Sequence, residues 1–145
     1  MLTGEFQNNL DDKYRLIVPT KLKSELGAQF VVTKGIEKCL WVYPMSSWEV
    51  MEKTREGLDF FNPAARKFER YFFGSAETCE TDKQGRVLIP QTLRKFAGIE
   101  KEVYTIGTGT KLEIWSKDEY EAYMDDNYDV ESLSEEFSGL GVKTP

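Results

Sequence analysis

Asp11-Asp12-Lys13-Tyr14-Arg15-Leu16-Ile17-Val18-Pro19 returns 71 residues later as Asp82-Lys83-Gln84-Gly85-Arg86-Val87-Leu88-Ile89-Pro90. Acid, arginine and proline recur at one spacing, with three apolar residues before each proline. A chain that repeats itself at nearly half its length is expected to build two similar units, paired about a pseudo-twofold axis. Core packing explains a copied apolar run. It does not explain a copied acid and arginine, so the charges are where function is sought.

Reading outward, Glu5 to Leu10 predicts a strand and Leu16-Ile17-Val18 a second, β-branched one. Pro19 suits the first turn of a helix, where its fixed φ is preformed and its missing N–H is not needed. Leu22 and Leu26 lie four apart and Gly27 follows as a stop. Pro90, Leu93, Phe96, Ala97 and Gly98 repeat that pattern. Hairpins follow: Phe30–Thr33 and Cys39–Tyr43 around Gly35, then Val103–Ile106 and Leu112–Trp115 around Gly107-Thr108-Gly109. Glycines at those bends are expected to supply positive φ. Ser46-Ser47-Trp48-Glu49 and Ser116-Lys117-Asp118-Glu119 both have the capping-box spacing that opens a helix. Asn62, Pro63 and Gly74 bound a further helix, and Val130 to Phe137 is its weaker counterpart. Tyr71, Phe72 and Phe73 read as core or interface, rather than as a stacking platform for RNA. The fold class is α+β, an antiparallel or mixed β-barrel with helices packed outside.

A chain of 145 residues fits one compact domain or two small units sharing a core. The 13% aromatic content argues against disorder. No stretch approaches the ~18 apolar residues that span a bilayer. The first residues lack the basic start and apolar run of a signal peptide, so a cytoplasmic protein is expected. Cys39 and Cys79 read as small buried hydrophobes, not a disulfide. The net charge of −6 is unevenly spread. Residues 118–145 hold nine acids and one base, and residues 1–117 hold 18 bases and 16 acids, a body at +2. That asymmetry fits a body that meets a polyanion and an end that stays in solvent. An acidic end that merely keeps the protein soluble fits it as well.

The chemistry-bearing residues exclude more than they assign. There is no histidine, the usual near-neutral acid–base group. No glycine-rich phosphate loop follows a strand, and two cysteines 40 apart make no zinc set. No catalytic, metal or cofactor site is therefore expected. The Asp-x-x-x-Arg motif has two readings. One is a local salt bridge that fixes a turn. In the other, Asp11 and Asp82 hold the guanidinium planes of Arg15 and Arg86 ready for phosphate or the edge of guanine. Further bases, Lys13, Lys21, Lys23, Lys83, Arg94 and Lys95, lie close by in sequence. The candidates are a nucleic-acid binder and a protein-interaction module.

The two motifs resemble the signatures of the MraZ family, within the AbrB/MazE/MraZ-like superfamily. The Met-x-x-Gly-Glu start, Val42-Tyr43-Pro44, Phe72-Phe73 and Ile89-Pro90-Gln91-Thr92-Leu93-Arg94 are similar to it too, over roughly residues 1 to 135. The resemblance implies a duplicated swapped-hairpin, or double-split, AbrB-like β-barrel with flanking helices. Residues 1–74 and 75–135 would be its two repeats and 136–145 a flexible acidic tail end. It implies a bacterial transcriptional regulator, cytoplasmic and nucleoid-associated. Such a regulator binds repeated short sites in double-stranded promoter DNA as a homo-oligomeric ring. Those sites lie upstream of the division and cell-wall gene cluster that contains its own gene. Arg15 and Arg86 then contact DNA with Lys13 and Lys83, and Asp11 and Asp82 are assigned as their orienting partners. One position departs from the pattern: Tyr14 stands where the family usually has glycine, and a side chain there restricts φ. The alternative reading is an antitoxin-like protein-interaction module whose acidic tail engages a partner.

Overall fold

The computed structural model describes residues 1–142. Each half of the chain lays down strand, strand, short helix, hairpin and two helices. The first half comprises β1 (Leu2–Asn9), β2 (Arg15–Ile17), α1 (Thr20–Leu26), β3 (Gln29–Lys34), β4 (Leu40–Pro44), α2 (Met45–Glu56) and α3 (Pro63–Phe68). A π-helical turn, Glu69–Phe73, continues α3. The second half comprises β5 (Glu77–Glu80), β6 (Arg86–Leu88), α4 (Gln91–Phe96), β7 (Glu102–Gly109), β8 (Leu112–Ser116), α5 (Lys117–Asn127) and α6 (Val130–Ser138).

Six strands form an antiparallel sheet in the order β1-β7-β8-β4-β3-β5, and β2 pairs with β6 in a separate two-stranded ribbon. The order records an exchange between halves. β1 pairs with β7, from Leu2↔Gly109 to Asn9↔Glu102, and β5 pairs with β3, from Gln29↔Glu80 to Val32↔Glu77. The two hairpins meet through β4 and β8 in the middle. The ribbon is likewise built from both halves, with Leu16 opposite Val87.

The main core gathers the same positions from both halves: Leu16, Val18 and Leu22 from one, Val87, Ile89 and Leu93 from the other, against Phe30, Val32, Val103 and Ile114 of the sheet. The apolar run before each proline does not enter this core whole. Side chains alternate faces along a strand, so Leu16, Val18, Val87 and Ile89 are buried while Ile17 and Leu88 point outward, 51% and 60% exposed. A second cluster joins Val31 and Tyr43 to Trp48, Phe72 and Phe73. There the buried Thr33 hydroxyl donates to the Phe72 carbonyl at 2.5 Å. That bond satisfies an acceptor in the π-helical turn, where the regular i→i+4 ladder is interrupted.

Several local expectations need correction. Gly35 and Gly107 do not carry positive φ. They serve close approach instead. A Cβ at Gly35 would sit 2.6 Å from the Cys39 sulfur, and one at Gly107 would sit 2.6 Å from the Leu2 carbonyl carbon of β1. Positive φ in that second bend falls on Gly109. The capping box expected at Ser46 does not form, because the helix has already begun at Met45 with Pro44 before it. At Ser116 half of the box forms: the hydroxyl accepts from the Glu119 N–H, while the Glu119 carboxylate binds Lys38 at 2.9 Å. Asn62 caps α3 as its sequence predicts, accepting from the Ala64 N–H at 2.9 Å. Of the flexible end expected over residues 136–145, the first three residues lie in α6, and residues 143–145 lie outside the described residues. Cys39 is fully buried, Cys79 is half-buried, and both are free thiols. No helix among the described residues is long and apolar enough to cross a membrane.

Candidate nucleic-acid interface

Each motif folds as one tight turn, built from its aspartate. The Tyr14 N–H donates to the Asp11 carbonyl at 2.9 Å and the Asp11 N–H to the Arg15 carbonyl at 3.0 Å. The second turn repeats this, Gly85 to Asp82 at 3.0 Å and Asp82 to Arg86 at 2.8 Å. The acid then accepts from the backbone it encloses. Asp11 Oδ1 receives the Lys13 and Arg15 N–H groups at 2.9 and 3.0 Å, and Asp82 Oδ1 receives those of Gln84 and Arg86, both at 2.9 Å. A short acidic side chain at the first turn position is suited to this bond. The other oxygen takes the arginine: Arg15 Nε donates to Asp11 Oδ2 at 2.7 Å and Arg86 Nε to Asp82 Oδ2 at 2.8 Å.

The local salt bridge expected at Asp-x-x-x-Arg forms in both turns. The acid fixes the turn and, with its second oxygen, the plane of the guanidinium. Each arginine is bonded to the aspartate of its own turn through Nε. Arg86 Nη1 also lies 3.8 Å from Asp11 Oδ2, which links the two turns. The arginine side chains are 28% and 25% exposed, half-sunk but open to solvent. Lys13 and Lys83 sit at the exposed tips of the turns, with no ion-pair partner among the described residues.

The ribbon aims these groups outward. Arg15 stands opposite Leu88 and Ile17 opposite Arg86, so two arginines and two exposed aliphatic side chains share one face. Two further bonds lock the turns to the opposite half: Ile89 N–H to the Tyr14 carbonyl at 3.2 Å, and Val18 N–H to the Gly85 carbonyl at 3.0 Å. Sequence reading missed Ile17 and Leu88, since it took each apolar run as a single block; the two-residue period of a strand would have separated them. It also kept each basic residue with its own motif, whereas the fold crosses them. Lys23 of α1 lies over Gly85 of the second turn, and the guanidinium carbon of Arg94, from α4, sits 3.5 Å from the centre of the Tyr14 ring in the first.

Tyr14 holds φ at 60°, and Gly85 matches it at 76°. Glycine takes that conformation freely, and a side chain costs about 1–2 kcal/mol there. The two turns therefore have the same path but not the same ease.

Backbone N–H donors, then the arginine, hold the carboxyl groups of Asp11 and Asp82 below the ordinary aspartate value of 3.8. A depressed pKa means that the folded chain binds fewer protons than the unfolded one in acid. The contribution is present above 3.8 and is lost as pH falls through the lower folded values. Wild-type protein is expected to lose stability in that acid interval, and the Asp11→Asn/Asp82→Asn double variant to lose less of it. Urea melts across acidic buffers check this, and parallel curves for the two proteins would contradict it.

One other grouping has the look of a ligand set. The Glu37 and Glu113 carboxylates and the Cys39 sulfur lie within 4.8 Å of one another. Burial, then Glu113 and Glu37, push the thiol well above its ordinary 9.0, which opposes the thiolate that a metal would need. Glu113 already accepts from the Trp115 indole N–H at 2.9 Å.

Comparison with known proteins gives the class first. Similar proteins carry the name of a regulator of transcription. A protein of Clostridium tetani named transcriptional regulator MraZ is 44% identical over 142 residues, covering 98% of this chain and all of its own. The protein of that name from Clostridium beijerinckii is 46% identical with the same coverage. The one from Desulforamulus reducens is 48% identical over 123 residues, 85% of this chain and 87% of its own. The family described as "MraZ protein, putative antitoxin-like" matches residues 1–71 and again 72–138. The chain belongs to the MraZ family.

Proposed function

We propose that this protein is a sequence-specific DNA-binding regulator of transcription that reads promoter DNA through the β2–β6 ribbon and its two flanking turns. One observation carries the reading. Both arginines are held through Nε by an aspartate of their own turn, on one solvent-facing surface. A two-stranded ribbon fits the major groove, where a guanidinium fork matches the O6 and N7 acceptors of guanine. Ile17 and Leu88 supply apolar contact for thymine methyl groups. Lys13 and Lys83 at the turn tips are placed for phosphate.

The finer features rest on the family resemblance and on physical argument. Two duplicated units, residues 1–74 and 75–135, exchange strands as a swapped-hairpin barrel. The exchange of β1 and β5 between halves supports that description. Several protomers form a ring whose repeated edges engage repeated sites upstream of the division and cell-wall cluster. A body at +2 binds DNA feebly alone, and linkage of several copies raises overall affinity by ~10² or more. The same ring keeps the protein on the nucleoid.

Gel mobility and anisotropy with the promoter duplex test the reading. Wild-type protein is expected to bind promoter DNA in preference to a scrambled duplex. Its affinity should fall steeply with salt, by roughly one logarithmic slope unit per neutralised phosphate. Equal affinity for the two duplexes would refute sequence-specific binding. Light scattering with and without DNA reports the size of the assembly.

A further inference from the structure

The two turns are related by position but are not equally equipped. Lys23 and Arg94 occupy matching places, 71 residues apart, and each packs over the turn of the opposite half. Over Gly85 the lysine chain lies on the bare backbone, with its Cε 2.6 Å from where a Cβ would sit. Over Tyr14 the Arg94 guanidinium is stacked on an aromatic ring at 3.5 Å. Tyr14 is 41% exposed and precedes Arg15 in the turn, while Arg94 is half-buried beside the ring. Arg94 Nε is buried without a hydrogen-bond partner among the described residues.

A tyrosine in a left-handed conformation is an expensive way to make a turn that glycine makes freely. Backbone strain of this kind persists where surrounding contacts over-determine it, and it gathers at functional sites. Here the contact is the stacked guanidinium. A ring beneath the plane fixes its orientation, as a bare backbone beneath an ammonium cannot. Arginine so held makes planar, forked contacts, whereas lysine acts as a point charge on a flexible stem.

We propose that Arg94, seated on Tyr14, is a second base-reading group beside Arg15, and that Lys23, seated on Gly85, gives Arg86 only a phosphate contact. The first turn therefore discriminates bases more strongly than the second, and each protomer binds its DNA element with a fixed polarity. The ligand of the added head is a guanine edge at one end of the element. This inference rests on the DNA-binding reading above and adds to it an inequality between the two ends.

The test uses the full-length protein and a duplex carrying one promoter element, with each base pair replaced in turn. Affinities are read by anisotropy for wild type, Arg94→Lys and Tyr14→Gly. Wild type is expected to show larger penalties, about tenfold or more per replaced pair, at one end of the element. Arg94→Lys keeps the charge and should keep the salt slope, while the penalties at that end shrink toward those at the other. Tyr14→Gly acts from beneath the stack, leaves Arg94 in place and relieves the backbone, so it should reproduce the flattened profile without loss of folding. The proposal is overturned if the wild-type profile is symmetric, if either variant keeps the wild-type profile, or if they lose discrimination equally at both ends. Should Arg94→Lys fail to fold, Tyr14→Gly decides alone. If wild type does not distinguish the promoter element from scrambled DNA, the DNA-binding reading fails first and this inference falls with it. A polar profile that survives in Tyr14→Gly overturns the inference alone.

Discussion

If the proposed function holds, Arg86→Ala is expected to abolish preferential binding to promoter DNA, with a loss on the order of 10²-fold or more, while the size of the protein in solution stays the same. A forked arginine–guanine contact is worth about 1–3 kcal/mol of discrimination. In the proposed ring every protomer would carry the same arginine, and the loss would be multiplied across the linked sites. The fold should tolerate the change. The Arg86 side chain is 25% exposed and its ion pair with Asp82 is open to solvent, and such pairs contribute little to stability. Asp82 keeps the backbone N–H groups of Gln84 and Arg86 as partners, so the turn keeps its shape. Arg86→Lys separates charge from geometry. It retains attraction for any duplex and the salt dependence, but it lacks the fork, so the preference for promoter over scrambled DNA should fall by about tenfold. Wild-type affinity and preference in Arg86→Ala, measured by gel mobility, would remove Arg86 from the interface.

Much of this arrangement is legible in the sequence. The doubled Asp-x-x-x-Arg-…-Pro segment predicts two equivalent turns, each opening a short helix. Leu16, Val18, Val87 and Ile89 enter one shared core because the residues copied are those that pack. The pairing of strands was not legible. That β1 crosses to β7 and β5 to β3 depends on contacts far apart in sequence, and local periodicity carries no record of them. The two corrected glycines fail for a related reason. A bend glycine suggests positive φ by local rules, but Gly107 is required by the Leu2 and Thr3 backbone of β1, which lies over a hundred residues away. The crossing of Lys23 and Arg94 was hidden in the same way. Sequence proximity assigned them to their own motifs, and the strand exchange delivers them to the other. Tyr14 was visible as an exception but could not be interpreted alone, since its partner comes from the other half of the chain.

Phe72→Ala is expected to destabilise the protein by about 3–5 kcal/mol, the range for emptying a buried aromatic site. Phe72 is fully buried. It stacks on Phe68 and Trp48 at 5.1 and 5.6 Å between centroids and meets Trp41, Tyr43 and Phe73 edge-on or nearly so. Its carbonyl is held by Thr33, so the π-helical turn cannot slide to refill the space without giving up that bond. A loss of this size removes a large share of the roughly 5–15 kcal/mol that typically separates a folded domain from its unfolded chain. Denaturant melts measure it, and a change under about 1 kcal/mol would mean that the aromatic cluster does not pack as described. The same variant also settles whether Phe72 serves as a stacking platform for single-stranded nucleic acid. A stacking role predicts lost binding in the fraction that remains folded. Burial predicts wild-type affinity per folded molecule, the reverse of Arg86→Ala, where the fold survives and the binding does not.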